Sequence, residues 1–206
     1  MRPLSAILLL LMILPSTAAR STAQEPPVYG LQQPSRNHLL DDLDTLFLLQ
    51  DATARGHRNA TLAQKRLLLS MGQKVRSEGL AETDQMTTFV VGYVLSGGDP
   101  NSAITLSRSG SLPPSHRELL EGVSYFMGGN RKDASRLLRS IDVSTLPLRV
   151  SGRVALAKAM LEDDPAARQL ELSTAAALMP GTLVEESALR RSALSYAQSG
   201  PGDDLW

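Results

Sequence analysis

Three helix starts recur along the chain at nearly equal spacing, each built from the same kinds of residue. In "LSGGDPNSAITL" (95–106) a helix ends at a glycine pair, Asp99 stands as N-cap, and Pro100 takes the first helical position. The arrangement returns in "FMGGNRKDASRLL" (126–138), where Asn130 occupies the capping place. It returns again in "MLEDDPAARQLEL" (160–172), with Asp164 capping and Pro165 opening the helix. From Asp99 to Asn130 is 31 positions, and from Asn130 to Asp164 is 34. A unit of two helices repeating at this period has one apolar face that only a neighbouring unit can cover.

The period predicts an all-α fold, a tetratricopeptide-like solenoid of helical hairpins (an α-α superhelix). The strict repeat consensus is absent, and an irregular helical bundle is the competing architecture. Pro113-Pro114 and Pro147 fit the scheme, because each precedes a new apolar pattern and proline is tolerated at a helix start. The small residues Gly122, Gly152, Ala155 and Ala159 in those patterns let neighbouring helices approach closely. Upstream, Asn37 reads as the cap of a first helix, and Thr61-x-x-Gln64 as a capping box opening the second. Residues 83–95 ("TDQMTTFVVGYVL") are rich in strand-favouring residues. The glycine break after them places them on a helix instead.

Composition bears on partners more than on fold. Aromatic residues make up 4% of the chain, which suits closely packed Ala- and Leu-rich helices over a β-sandwich. The formal net charge is zero, so no global field draws nucleic acid or an anionic membrane surface. Arg2, the apolar run "ILLLLMIL" (7–14) and the small residues after Pro15 read as a secretory signal over 1–23, too short to span a bilayer. Cleavage after Ala18, Ala19 or Ala23 fits equally well. Residues 24–36 then form a proline-rich leader, 37–198 the helical-repeat domain and 199–206 a disordered tail. An exported chain without cysteine is held by burial alone, which fits a bacterial periplasm.

Two acids and two arginines fall within seven residues in "MPGTLVEESALRRS" (179–192). Gly181 there supplies a left-handed helix end, and Thr182 with Glu185 forms a capping box in which the hydroxyl serves the N–H three residues on. Glu186 and Arg190 lie four apart and can pair across one helical turn. Arg191 points to a different side and has no local companion. Local physics accounts for most of these charges without a ligand.

Signs of chemistry are sparse. His38, His57 and His116 stand far apart with no metal-ligand spacing, and no G-x-S-x-G elbow or dinucleotide fingerprint occurs. "GGNRKDAS" and Glu162-Asp163-Asp164 read as helix caps before they read as phosphate or cation sites. The expectation is a non-enzymatic protein with no cofactor and no metal.

"LMPGTLVEESALRRS" closely resembles a segment of the MotC family of periplasmic motility proteins. So does the order of "QKRLLLSM", "GYVLSGGDPNSAITL", "LLEGVSYFMGGNRKDASRLL" and "VALAKAMLEDDPAARQLEL", a likeness that runs to about residue 196. The resemblance implies export to the periplasm and binding to the periplasmic part of the flagellar stator protein MotB, supporting its folding or stability. It implies no catalytic residues. Glu186, Arg190 and Arg191 form the candidate partner surface. A generic periplasmic scaffold or chaperone of tetratricopeptide type is the alternative. Members of that family run to roughly twice this length, and "YAQSGPGDDLW" makes no polar cap for a solenoid, so a missing C-terminal half is expected.

Overall fold

A computed structural model describes residues 38–77, 83–108 and 112–199. The segments expected as signal peptide and leader, the expected Asn37 cap and the expected tail beyond Ser199 lie outside the described residues. Within them the chain is all-α, a helical-hairpin solenoid with no strand. In chain order the helices are α1 (His38–Ala54), α2 (Arg58–Ser77), α3 (Thr83–Leu95), α4 (Asn101–Ser107), α5 (Pro114–Met127) and α6 (Arg131–Arg139). A short 3-10 turn (Val143–Thr145) leads to α7 (Leu148–Leu161), α8 (Pro165–Leu178) and α9 (Leu183–Ser199).

The repeated cap residues sit at helix starts. Asp99 Oδ1 accepts from the Asn101 N–H at 3.0 Å, with Pro100 between them already in helical conformation. Asn130 accepts from the Asp133 N–H at 3.3 Å. Asp164 serves two donors, the N–H groups of Ala166 at 3.3 Å and Ala167 at 3.2 Å. The turn before α8 is tied down further by the Arg168 guanidinium, which donates to the Glu162 carbonyl at 2.8 and 3.0 Å. Asp164→Ala should therefore lower stability by about 0.5–2 kcal/mol, read as a drop in the urea midpoint at unchanged slope. An unmoved midpoint would show that the Pro165 ring and the Arg168 clamp hold this start alone.

Thr61 does not open α2. That helix begins at Arg58, three residues earlier, and Thr61 is an exposed interior position. The break after α1 is tighter than the sequence implies. Gly56 takes φ +85°, the Gly56 N–H bonds the Thr53 carbonyl and the His57 N–H bonds that of Ala52. The next helix then starts at once, before any capping box is needed.

α3 is the centre of the molecule. Phe89, Val90, Val91 and Val94 are all 0% exposed, and Met86 and Tyr93 are buried beside them. A helix wrapped on every side is apolar on every side, which is why its sequence shows no clean period. Gly92 lets α1 lie close, since a Cβ there would come within 2.5 Å of a Leu43 methyl. The α5–α6 contact has the same origin, with Gly122 under Leu138. In α7, Gly152 receives the Met179 side chain at the end of α8.

α3 packs on α1, α5 and α7, the first helices of the other three hairpins. α1 also reaches back to the end of the array. Arg149 of α7 grips Asp44 through two bonds of 2.8 Å, and Asp51 accepts from the Leu183 N–H of α9 at 3.2 Å. A strictly one-dimensional stack would leave α1 touching only the next hairpin. Here the inner helices curl around α3, and α1 meets both α3 and α9.

Candidate functional site

The start of α9 gathers the charges singled out in the sequence. Gly181 turns at φ +75°, and its N–H donates to Glu185 Oε2 at 2.6 Å. The Thr182 hydroxyl donates to the Met179 carbonyl at 2.7 Å and accepts from the Val184 N–H at 3.2 Å. The hydroxyl thus serves the donor two residues on, not three, and Glu185 reaches past Thr182 to Gly181. The bond to Met179 fixes the hydroxyl's direction and so sets which donor it meets. The Leu183 N–H is satisfied from another helix, by Asp51. A helix start has orphan donors that any nearby acceptor can fill, and sequence spacing cannot show an acceptor more than a hundred residues away.

Glu186 and Arg190 are both exposed, and no ion pair joins them among the described residues. Water competes with such a pair and its ordering entropy opposes it. Helical spacing puts Glu186, Leu189, Arg190, Ala193 and Tyr196 on one outward face, opposite the buried Val184 and Ala188. Leu189 is 57% exposed and Tyr196 66%, so the face is apolar at its centre. Arg191 is elsewhere. It lines a cleft of about 280 Å³ between α7, α8 and α9, with Met160, Arg168, Leu172 and Leu194. The structure brings Glu186 and Arg190 together and sets Arg191 on a separate flank.

A second cleft of about 390 Å³ opens where the N-terminal ends of α3, α5 and α7 converge. His116 lies in it with Nδ1 3.6 Å from Asp84 Oδ1, and the buried Thr87 hydroxyl has no hydrogen-bond partner. A hydroxyl nucleophile activated by His116 would need a hydrogen bond to the imidazole. Nδ1 makes none among the described residues. No cluster of three or more His, Asp or Glu side chains able to hold a metal occurs among those residues either.

Sequence reasoning passed over Arg153. It lines a third cleft, of about 350 Å³, walled by α1, α2, α7 and α9. Its Cζ lies 3.7 Å from the centre of the Phe47 ring, and its Nε is buried without a hydrogen-bond partner. Burial pushes its pKa down to about 10, opposed in part by the charge of Asp51. The signal was present in the pattern: Arg153 falls between Val150, Val154 and Ala157, all buried, on the core stripe of α7.

Among the described residues no helix is long and apolar enough to cross a membrane. No curated protein and no solved structure matches the chain. The family model described as "Chemotaxis protein MotC" matches residues 2–204.

Proposed function

This chain belongs to the family of the chemotaxis protein MotC, and from that premise we propose that it works in the bacterial periplasm as a non-enzymatic partner of the flagellar motor. Membership makes it a motility protein. The finer reading is that it binds the periplasmic part of the stator protein MotB and supports the folding or stability of that protein.

The observation that carries the binding role is the outward face of α9. Leu189 and Tyr196 stand more than half exposed on a helix whose other side is fixed in the array, flanked by the exposed Glu186 and Arg190. Tyrosine and arginine around an apolar centre are the residues on which protein interfaces concentrate their energy. Arg191, in the cleft against α8, lies off this face and is a separate candidate contact.

The test is capture of the periplasmic part of MotB by the exported form of this chain. The native chain should enrich MotB over a heat-denatured control. Leu189→Asp combined with Tyr196→Asp should weaken capture at least about tenfold, the effect of losing one interface anchor. Arg191→Glu should weaken it less, with the denaturation midpoint unchanged. No enrichment by the native chain would sink the reading, and equal capture of unrelated periplasmic proteins would favour a general scaffold in envelope assembly.

A further inference from the structure

Arg153 is a partly buried cation, its Nε enclosed, that no carboxylate among the described residues pairs with directly. Its guanidinium stacks on Phe47, and no hydrogen bond or ion pair reaches it among the described residues. The carboxylate whose charge acts on it, Asp51, is engaged at the start of α9, where it accepts from the Leu183 N–H at 3.2 Å. The Thr53 hydroxyl, on the same cleft wall, is likewise buried without a partner. Buried polar groups in native proteins are nearly always satisfied, by protein or by ordered water, so the two orphans beside this cleft leave it able to take an acceptor from outside.

We propose that the cleft between α1, α2, α7 and α9 is a carboxylate-binding site, with the Arg153 guanidinium as its anchor.

The chemistry selects a carboxylate among anions. A guanidinium edge offers two parallel N–H groups that match the two oxygens of a carboxylate, and the ring beneath Arg153 holds that edge in place. One cation balances one negative charge, whereas a phosphate dianion would be left in excess and would face Asp51. Gln64 and Ser187 add neutral polar groups to the wall, while Leu156, Leu183 and Val184 provide an apolar side for the stem that bears the carboxylate. At about 350 Å³ the cleft is at the small end of ligand pockets. It therefore suits a short aliphatic acid or the side chain of a single Asp or Glu. None of the cleft's walls belongs to the outward face of α9, so this site and the motility reading stand or fall separately.

The direct test is a titration of the folded wild-type chain with propionate, following the arginine Nε–H signals by NMR. The paired control is propionamide, which has the same shape and no charge. Propionate should shift the Arg153 signal saturably, and propionamide should leave it in place. Two blocked pentapeptides, with Glu or Gln at the centre and otherwise glycine, separate the sources. Tighter binding of the Glu peptide than of propionate assigns the carboxylate to a protein chain, and exclusion of the peptide with propionate bound assigns it to a free acid. Arg153→Lys keeps the charge and loses the fork, and should weaken propionate by about tenfold. A saturable response to neither propionate nor the Glu peptide overturns the proposal, and so does an equal response to propionamide. The wild-type titration decides the matter even where a variant fails to fold.

Discussion

Phe89→Ala should destabilise the chain by about 3–5 kcal/mol, the range for emptying a fully buried aromatic site. Phe89 is 0% exposed and stacks on Tyr93 with ring centroids 6.5 Å apart and planes 10° from parallel. Its helix, α3, is packed against α1, α5 and α7 at once. In an ordinary repeat array a cavity weakens one interface and its two neighbours. Here α3 joins four hairpins, and Leu43, Leu46, Val90 and Leu120 of the same core cluster are each 0% exposed already. They have little room to collapse into the gap. Against a total stability of roughly 5–15 kcal/mol for a domain, the loss is a large share. Urea denaturation followed by far-UV circular dichroism measures it. A loss below about 1 kcal/mol would mean that α3 is not the hub of the fold.

Which features were legible in the sequence follows from how local each one is. The caps at Asp99, Asn130 and Asp164 are satisfied within three residues, so spacing alone could point to them. The helical state of 83–95 came from its glycine exit and not from its own composition. What spacing could not supply was every contact made by α1 with the far end of the chain. Asp51 is an ordinary residue near the end of a first helix until α9 arrives beside it and presents the Leu183 N–H. Arg153 can be read onto the core stripe of α7, but only the arrival of α1 and α9 shows which cleft it lines. The Thr61 box failed for a different reason. The turn at Gly56 is so short that α2 is already under way when Thr61 is reached. In the candidate site, helical spacing placed Glu186 and Arg190 on one face and Arg191 off it. Whether two exposed side chains bond across that face is decided by water, and spacing says nothing of water.

Arg153→Met should make the ligand-free chain more stable by about 1–2 kcal/mol, an unusual sign for a substitution on a packed helix face. The folded protein holds the Arg153 pKa down to about 10 because burial disfavours the charged form. A depression of that size from the ordinary guanidinium range corresponds to a penalty on the order of 3 kcal/mol at neutral pH. With the folded value below the unfolded one, the unfolded chain binds more protons wherever the two differ. The penalty is therefore complete at low and neutral pH, and it fades as pH rises through 10 and beyond. That penalty is already net of the attraction to Asp51, and set against the gain is the lost stacking of the cation on Phe47, worth about 0.5–2 kcal/mol. Methionine keeps most of the apolar stem packed, so little cavity cost is added. Other groups titrate in this range, but they titrate in both proteins, and the difference between the two curves isolates Arg153. The gap between variant and wild type, taken from denaturation midpoints, should be widest near pH 7 and narrow as pH is raised from 9 to about 11. Saturating propionate should narrow the gap at pH 7 as well, because only the wild type gains binding energy, about 1.4 kcal/mol at ten times Kd. A variant less stable than wild type at every pH would show that the guanidinium is already neutralised within the folded chain, and would leave the cleft without an unmet charge.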